Sequence, residues 1–306
     1  MKAGTRPSGR RIFRGANAQA NGERPLSAAG RGEELVFVEQ TLGLMAGAGA
    51  LPGQVAAEAA RQGWRVLAFA FGDASELEAR AHRVIPSRLT EIGLVLDRLR
   101  SERVSAVVFS GTLPKRLLLE AGEADAPARR ILLAAGGLSD AALGAAVAET
   151  LSALGLQILD QRTFLAPLLA PAGVLTARPP SEAEWQDIGL GLRLARRCAE
   201  YGVGQTVVVS RGVAVAVETI EGTSETIRRG CQLSGPGAVV VKAIASRQDY
   251  RFDLPTVGLE TLETMVSGQA WVLAVEAGKV AILDLESVVT LANKAGISIA
   301  SVDGDH

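Results

Sequence analysis

Short apolar runs alternate with segments of helical spacing along the first half of the chain. We interpret the runs as buried strands, and their alternation with helices predicts a Rossmann-like parallel sheet. The predicted strands are 42–46, 65–71, 106–110 and 156–159, and the predicted helices are 55–61, 89–102 and 139–154.

The pattern changes after residue 165, where four prolines fall within the fifteen residues 166–180. Such a stretch is typical of a boundary between domains, so we expect a linker there. Ser181 and Glu184 then have the spacing of a capping box, which predicts a helix that ends near residue 201. Further on we predict hairpins over 206–217 and 271–283, helices near 225–229, 259–267 and 284–295, and strands over 239–244 and 298–302.

These elements predict an α/β protein of two domains. The first domain, 35–165, has the parallel sheet, and the second, 181–306, is a mixed α/β domain. A length of 306 residues suits two domains. Residues 1–34 are rich in arginine, glycine and alanine, and we expect a disordered basic extension.

Composition narrows the possible chemistry. The chain has only two histidines, His82 and His306, and two cysteines, Cys198 and Cys231, so we exclude serine–histidine, cysteine–histidine and histidine-rich metal sites. Carboxylates, lysines, arginines and backbone amides remain. The cysteine usage fits a reduced, cytoplasmic setting.

Charge and hydropathy limit the partners. The net charge of −1 gives no overall electrostatic attraction for nucleic acid. No apolar run reaches the roughly 18 residues of a membrane span, so we expect no transmembrane segment.

The most charged motif of the second domain is RQDYRFDLPTVG over 247–258. It sets Asp249 and Asp253 close to arginines in a turn fixed by Pro255 and Gly258, an arrangement that suits phosphate or a metal–phosphate complex. The alternative is a solvated surface turn whose charges compensate each other.

Two glycine-containing loops follow predicted strands of the first domain. The first has Gly47, Gly49 and Gly53, with Asp73 at the end of the next strand, which approaches a dinucleotide-binding fingerprint. Its spacing is one residue too long, and Pro52 falls in the first helical turn. The same loop, with the loop that begins at Gly111, could instead cradle phosphate for a metal-assisted hydrolase. A non-enzymatic binding module is the third alternative.

Several motifs, in the same order over about 42–303, resemble the UDP-2,3-diacylglucosamine pyrophosphatase family of lipid A biosynthesis, the two-domain type that is unrelated to calcineurin-like enzymes. The motifs are GLMAGAGALP over 43–52, VGQTVVV over 203–209, AVE over 216–218, EGT over 221–223, RFDLPTVG over 251–258, EAGK over 276–279 and ILD over 282–284.

The resemblance implies Mg²⁺-dependent cleavage of UDP-2,3-diacylglucosamine into UMP and 2,3-diacylglucosamine 1-phosphate, in a cleft between the domains. Asp253 would be the essential carboxylate. The partner would be a lipid nucleotide at the inner membrane surface, and the protein would be cytoplasmic or peripheral to that membrane, and a possible homodimer.

We therefore expect Asp253 to be catalytic and to hold Mg²⁺ together with Asp249. The expected substrate- and phosphate-binding residues are Gly47, Gly49, Ala50, Gly111, Thr112, Gly222, Thr223, Lys242, Gln248 and Arg251. Leu94, Ser139 and Ser224 depart from the polar or charged residues of the family pattern, so a diverged or inactive paralogue that binds a nucleotide or lipid is the alternative.

Overall fold

The computed structural model describes residues 40–113, 124–137 and 139–303. The basic extension expected over 1–34 lies outside these residues. Within them, none of the helices combines the length and apolar character that crossing a membrane requires.

The first half contains a parallel sheet of five strands in the order β3-β2-β1-β4-β5. The strand order reverses between β1 and β4, and open α/β sheets bind ligands outside the carboxyl ends of the strands at such a point. The strands are β1 Thr41–Ala46, β2 Arg65–Ala70, β3 Arg83–Pro86, β4 Ala106–Ser110 and β5 Gln157–Ile158. The helices described here are α1 Leu51–Arg61, α2 Ile92–Ser101, α3 Ala126–Ala135, α4 Asp140–Ser152 and α5 Arg162–Leu165.

The second half contains a mixed sheet of six strands in the order β6-β13-β11-β9-β7-β8. The strands β9, β11 and β13 are parallel, and the flanking pairs are antiparallel. These strands are β6 Gly173–Val174, β7 Thr206–Ser210, β8 Val213–Val217, β9 Val239–Lys242, β11 Val272–Glu276 and β13 Ser298–Val302. The helices are α6 Glu182–Glu200, α7 Thr223–Ser234, α8 Leu259–Ser267 and α9 Leu285–Ala295, and β10 Thr256–Val257 pairs separately with β12 Ala281–Ile282. The predicted α/β class, with a parallel first sheet and a mixed second part, is confirmed.

Two local predictions of the second half are confirmed by their hydrogen bonds. Ser181 and Glu184 form the capping box at the start of α6. The β7–β8 hairpin turns through Arg211 and Gly212, both at positive φ. The buried carboxylate of Asp187 accepts hydrogen bonds from both of their N–H groups, at 2.9 and 2.7 Å, and so fixes the turn to α6.

The hairpin predicted over 271–283 is wrong. The strand β11 pairs in parallel with β9 and β13, and all five of its residues are buried, as is typical of a central strand. Gly278 does turn the chain, at φ 66°, but residues 281–282 leave the sheet and pair with β10. The turn signal was real, whereas the inferred pairing was not.

Residues 166–180, the expected linker, pack along the second sheet. Ala170 and Val280 are joined by a backbone hydrogen bond of 2.9 Å, and Leu175 donates to the Ile299 carbonyl at 2.9 Å. Val174 pairs with β13 as part of an antiparallel edge strand. The domain limits stay a prediction, but this segment is anchored to the second half.

Helices cover both faces of the second sheet, and two glycines set their distance. A Cβ on Gly191 of α6 would overlap Val241 and lie 3.3 Å from Val209 Cγ2. On the opposite face, a Cβ on Gly230 of α7 would lie 2.7 Å from Val208 Cβ. Because Val208 and Val209 are neighbours in β7, they point to opposite faces, so the two helices enclose the sheet.

We predict opposite effects from two substitutions in α6. Gly191→Ala should destabilise the protein by about 1–3 kcal/mol, because the methyl group would force the helix away from β-branched side chains. Gly189→Ala should be neutral or stabilise by up to about 1 kcal/mol, because the nearest atom to its Cβ is Arg193 Nη1 at 3.6 Å. Urea unfolding of both variants measures the difference. Equal effects would contradict the proposed close helix–sheet contact.

Candidate active site

The two halves meet at a loop that we call the Asp253 loop, residues 245–255. It follows the carboxyl end of β9 and contacts the carboxyl end of the first sheet. The ring of Phe252 lies 5.2 Å from the ring of Phe109 in β4. The backbone N–H of Gln161, just after β5, donates to the Tyr250 carbonyl at 3.1 Å. The loop therefore joins the carboxyl ends of strands from both sheets, where the expected cleft residues would have to lie.

Asp253 is exposed on this loop, and one of its carboxylate oxygens is held by two amides. Oδ2 accepts hydrogen bonds from Gln205 Nε2 at 2.6 Å and from Gln248 Nε2 at 2.9 Å. Gln248 Nε2 also lies 3.1 Å from the backbone oxygen of Asp253. The structure thus brings Asp253 and Gln248 together, and Gln248 is a hydrogen-bond donor to the carboxylate.

Asp249 and Arg251 form an ion pair with each other. Arg251 donates from Nε to Oδ1 at 2.9 Å and from Nη2 to Oδ2 at 2.7 Å. The hydrogen bond from Arg251 holds the pKa of Asp249 below its usual value, against a smaller opposing effect of burial. For these two residues, the arrangement matches the alternative of a turn with compensated charges.

A second Asp-x-Arg pair, Asp160 and Arg162 of the first half, lies near enough to the first pair for the charges of Asp160 and Asp249 to repel each other. Arg162 Nη2 donates to Asp160 Oδ2 at 2.6 Å, and the guanidinium of Arg162 lies 3.9 Å over the ring of Tyr250. Both arginines are therefore engaged by a carboxylate two residues earlier in the chain, and Arg162 also packs on the Asp253 loop.

A buried polar network lies behind the Asp253 loop at the edge of the second sheet. Lys242, 6% exposed, donates from Nζ to Thr223 Oγ1 at 2.9 Å, and Thr223 donates to Glu218 Oε1 at 2.8 Å. The backbone N–H of Gln205 donates to Glu218 Oε2 at 3.1 Å. Lys242 and Thr223 are thus brought together, and the network reaches Asp253 through Gln205.

The pKa of Glu218 reflects this network. Burial alone would raise the pKa, but the charge of Lys242 and hydrogen bonds from Thr206, Thr223 and the Gln205 N–H lower it by more. The net pKa is therefore below the usual value, and the Glu218 carboxylate is linked to the buried Lys242 through Thr223.

Gly222 and Thr223 start α7. Gly222 is the N-cap residue at φ 83° and contributes no side-chain hydrogen bond, so the first N–H groups of α7 have no side-chain cap from that position. Ser224, in the first turn, donates from Oγ to Glu260 Oε1 at 2.9 Å.

The glycine loops of the first sheet contact each other. Ala48 and Thr112 exchange two backbone hydrogen bonds, at 2.8 and 2.9 Å. A Cβ on Gly47 would lie 2.5 Å from the Thr112 oxygen, and one on Gly111, at φ 82°, would lie 2.6 Å from the Ala48 oxygen. These two glycines are therefore required by the contact between loops. It places Gly47, Gly111 and Thr112 together at the strand-order reversal.

Gly49 and Ala50 lie in the exposed part of the first loop, before α1. Gly49 has φ 98°, and a Cβ there would meet nothing within 4 Å. Their backbone groups are accessible at the carboxyl end of β1, which is the position expected for phosphate binding.

The dinucleotide alternative finds little geometric support. The Cβ position of Gly53 lies 2.7 Å from Arg80 Nη1, so this glycine makes room for an arginine. Asp73 accepts a hydrogen bond from the Ser75 N–H at 3.0 Å and thereby fixes its own turn.

The departures from the family pattern lie in different surroundings. Leu94 is 62% exposed on α2. Ser139 is the N-cap of α4 and accepts a hydrogen bond from the Ala142 N–H at 3.3 Å. Only Ser224 belongs to a helix whose first residue is part of the network behind Asp253.

Gln205 and Glu218 were not among the expected site residues. A local signal exists: Gly204 precedes Gln205, and a Cβ on Gly204 would clash with the Glu218 carbonyl oxygen. A glycine directly before a polar residue at the start of a strand is consistent with such close approach. The contact between Gln205 and Asp253 joins residues 48 positions apart and leaves no local pattern.

The fold and the site together define a two-part α/β protein with an exposed carboxylate where the carboxyl ends of its two sheets meet. The LpxI N-terminal domain family matches residues 41–168, and the LpxI C-terminal domain family matches residues 171–300. The chain therefore belongs to the LpxI family. The resemblance inferred from the sequence motifs is confirmed.

A curated relative agrees with this assignment. The chain is 30% identical, over 278 residues, to the UDP-2,3-diacylglucosamine pyrophosphatase LpxI of Caulobacter vibrioides, with 86% of this chain and 97% of the relative covered. The name of the relative describes a phosphoanhydride hydrolase, the class of enzyme expected from the sequence.

Similarities to solved structures are weak. The N5-carboxyaminoimidazole ribonucleotide synthetase of Thermotoga maritima has 14% identity and a TM-score of 0.22, with 57% of this chain and 40% of that chain covered. The N5-carboxyaminoimidazole synthetase of Staphylococcus aureus has the same identity and TM-score, with 66% and 47% covered. Less than half of each synthetase chain is thus covered, and the TM-scores are too low to indicate a shared fold.

We predict that Glu218 contributes to the pH dependence of stability. Its folded-state pKa is lowered, so its contribution is present above the unfolded-state pKa and is lost as the pH falls through the folded-state pKa. Glu218→Gln should therefore flatten the decrease in unfolding free energy below about pH 5, and exposed Glu78→Gln should not. Urea unfolding between pH 3 and 7 measures this. A wild-type pH profile for Glu218→Gln would contradict the prediction.

Proposed function

We propose that this protein hydrolyses the pyrophosphate bond of UDP-2,3-diacylglucosamine to UMP and 2,3-diacylglucosamine 1-phosphate. Membership of the LpxI family and the name of the Caulobacter relative support the reaction. The observation that carries the proposal is the carboxylate of Asp253, held by two amides where the two sheets meet. Asp253 is the residue that the family resemblance implies to be essential.

The reaction requires a water to attack one phosphorus atom while the bond from that phosphorus to the bridging oxygen breaks. The attacking water loses a proton and must be aligned with the leaving oxygen, and the negative charge of the pyrophosphate must be balanced. An exposed carboxylate with a fixed orientation can accept a hydrogen bond from that water and then its proton, while the leaving phosphate departs with the bridging oxygen. We propose this role for Asp253.

Mg²⁺ is the proposed cofactor, and the protein side chains fit a site in which the substrate supplies part of the metal coordination. Among the described residues, no group of three or more His, Cys, Asp or Glu side chains could hold a metal ion. Mg²⁺ is commonly bound by one or two carboxylates together with substrate phosphates and water. In the part of the chain described, Asp253 Oδ1 receives no side-chain or backbone hydrogen bond, so Asp253 fits a metal ion that arrives with the pyrophosphate. Bound Mg²⁺ would supply charge neutralisation and a more acidic water.

Most of the expected phosphate-binding residues fall into two groups. The exposed backbone of Gly49 and Ala50 lies beside the Gly47–Gly111 contact on the first sheet, and the uncapped N–H groups after Gly222 lie on the second. We propose that these groups bind the phosphate and nucleotide parts of the substrate from either side. Lys242 is buried, so its charge acts through Thr223, whereas Arg251 is about half exposed and can exchange Asp249 for phosphate.

Because the substrate carries acyl chains, we propose that the protein acts at the cytoplasmic surface of the inner membrane. A homodimer stays a prediction from the resemblance. A diverged protein that retains the lipid nucleotide without cleavage is the second candidate, favoured by the Ser224–Glu260 hydrogen bond where the family pattern has an aspartate.

We predict that Asp253→Asn lowers the rate of UMP release from UDP-2,3-diacylglucosamine by at least about 100-fold, because the amide cannot act as a base or anionic ligand. Asp97→Asn, which removes an exposed carboxylate on α2, should retain wild-type activity. Thermal unfolding should be similar for both. Retention of substrate by wild-type protein without UMP release would favour the diverged binder, and an active Asp253→Asn would remove Asp253 from its role.

We predict a different result for Asp249→Asn. Because Asp249 is paired with Arg251, the substitution should lower thermal stability slightly and should not change the Mg²⁺ concentration for half-maximal activity. A metal titration of UMP release measures this. A shift of tenfold or more towards higher Mg²⁺ would instead identify Asp249 as a metal ligand, as the sequence suggested.

A further inference from the structure

Gln205 connects the proposed catalytic carboxylate to the second sheet. Its side-chain amide donates from Nε2 to Asp253 Oδ2 at 2.6 Å, the shorter of the two amide contacts on that oxygen. Gln205 directly precedes β7, whereas Asp253 lies 48 positions later on an exposed loop. The contact therefore spans a large part of the second half.

The backbone of Gln205 is fixed on both sides. Its N–H donates to Glu218 Oε2 at 3.1 Å, and its carbonyl accepts from the Ala243 N–H at 2.9 Å. Glu218 is itself held by Thr223 and the charge of Lys242. Gly204 allows the chain to approach Glu218 without a clash. A rigid segment thus presents the amide of Gln205.

The second amide that contacts Asp253 Oδ2, that of Gln248, belongs to the same loop as Asp253. Gln248 belongs to the Asp253 loop and bonds both the carboxylate and the backbone oxygen of Asp253, so it moves with that loop. Gln205 is the residue that links the Asp253 carboxylate to the second sheet. Because a displacement of about 1 Å at a reacting group can cost roughly 100-fold in rate, this relation matters for catalysis.

We propose that Gln205 is a positioning residue that fixes the Asp253 carboxylate for hydrolysis. Together with Gln248 it occupies Oδ2, and Oδ1 accepts no hydrogen bond from the described residues. The proposal rests on the proposed function, since it assigns Gln205 a role in the same reaction. It predicts that Gln205 affects the turnover of bound substrate more than substrate binding.

The test compares two nearly isosteric variants with a matched control. Gln205→Met removes the amide donor, and Gln205→Glu replaces it with an acid that cannot donate when ionised. Gln232→Met makes the same chemical change at an exposed position of α7. With UDP-2,3-diacylglucosamine and Mg²⁺, we expect kcat to fall by about tenfold or more for Gln205→Met and further for Gln205→Glu. We expect KM to change less than about threefold, and Gln232→Met to behave as wild type.

A merely structural residue would give another result. If folded Gln205→Met and Gln205→Glu keep the wild-type kcat, or if KM changes instead of kcat, the positioning role is overturned. Thermal unfolding of each variant identifies loss of folded protein. If Gln205→Met does not fold, Gln205→Glu alone decides, because its size and shape match the native side chain.

A double-mutant cycle separates this proposal from the proposed function. The change in thermal midpoint caused by Gln205→Met should be smaller in an Asp253→Ala background than in the wild-type background, because the contact is already absent. If wild-type protein releases no UMP, the proposed function fails, and coupling in the cycle still supports the contact. Additive changes in the cycle would overturn the contact itself.

Discussion

The packing of Phe252 against the first sheet is the contact that the candidate site depends on. Its ring lies against Phe109 of β4, and it occupies a space next to α4 that exists because residue 144 is glycine. A Cβ on Gly144 would lie 2.9 Å from the ring of Phe252. Asp253 is the next residue, so the position of this ring determines where the carboxylate lies relative to the first sheet. A loop that lies outside the helices and strands is thereby fixed by aromatic packing.

Fixing the carboxylate to the second sheet requires a different kind of interaction. Lys242 and Glu218 are removed from much of the solvent, and isolated buried charges would be costly. Thr223 connects them by accepting from one and donating to the other, so each charge has a partner. The second half therefore holds the Asp253 carboxylate by directional polar contacts, while the first half holds its loop by the packing of Phe252 and one backbone hydrogen bond to Tyr250.

Much of the fold could be predicted from the sequence because its signals are local. Apolar runs located strands of both sheets, and the spacing of Ser181 and Glu184 located the start of α6. The α3 helix was missed although Asp125 caps it and Gly136 ends it at φ 61°. The strand β11 was assigned to a hairpin because a turn shows where the chain reverses, but the turn alone does not show which strands pair.

Less of the candidate site could be predicted from the sequence, because the sequence does not show which side chains contact each other. Asp253 was found through a motif that is continuous in the chain. Arg251 was expected to bind phosphate, but the sequence could not show that its guanidinium is engaged by Asp249 two residues earlier. Gln205 was missed because its partner is distant in the chain and because glutamine has no distinctive chemistry of its own.

The contact between the two glycine loops also affects how natural variation at this site should be interpreted. Gly47 and Gly111 cannot accept a side chain, because backbone atoms of the opposite loop occupy that volume. Invariance at these two positions among relatives would therefore report crowding of the backbone, whether or not a ligand is bound. Ala50 has a side chain, is exposed and has no such restriction. A limited choice of residues at position 50 would be the more informative sign that a ligand has shaped this loop.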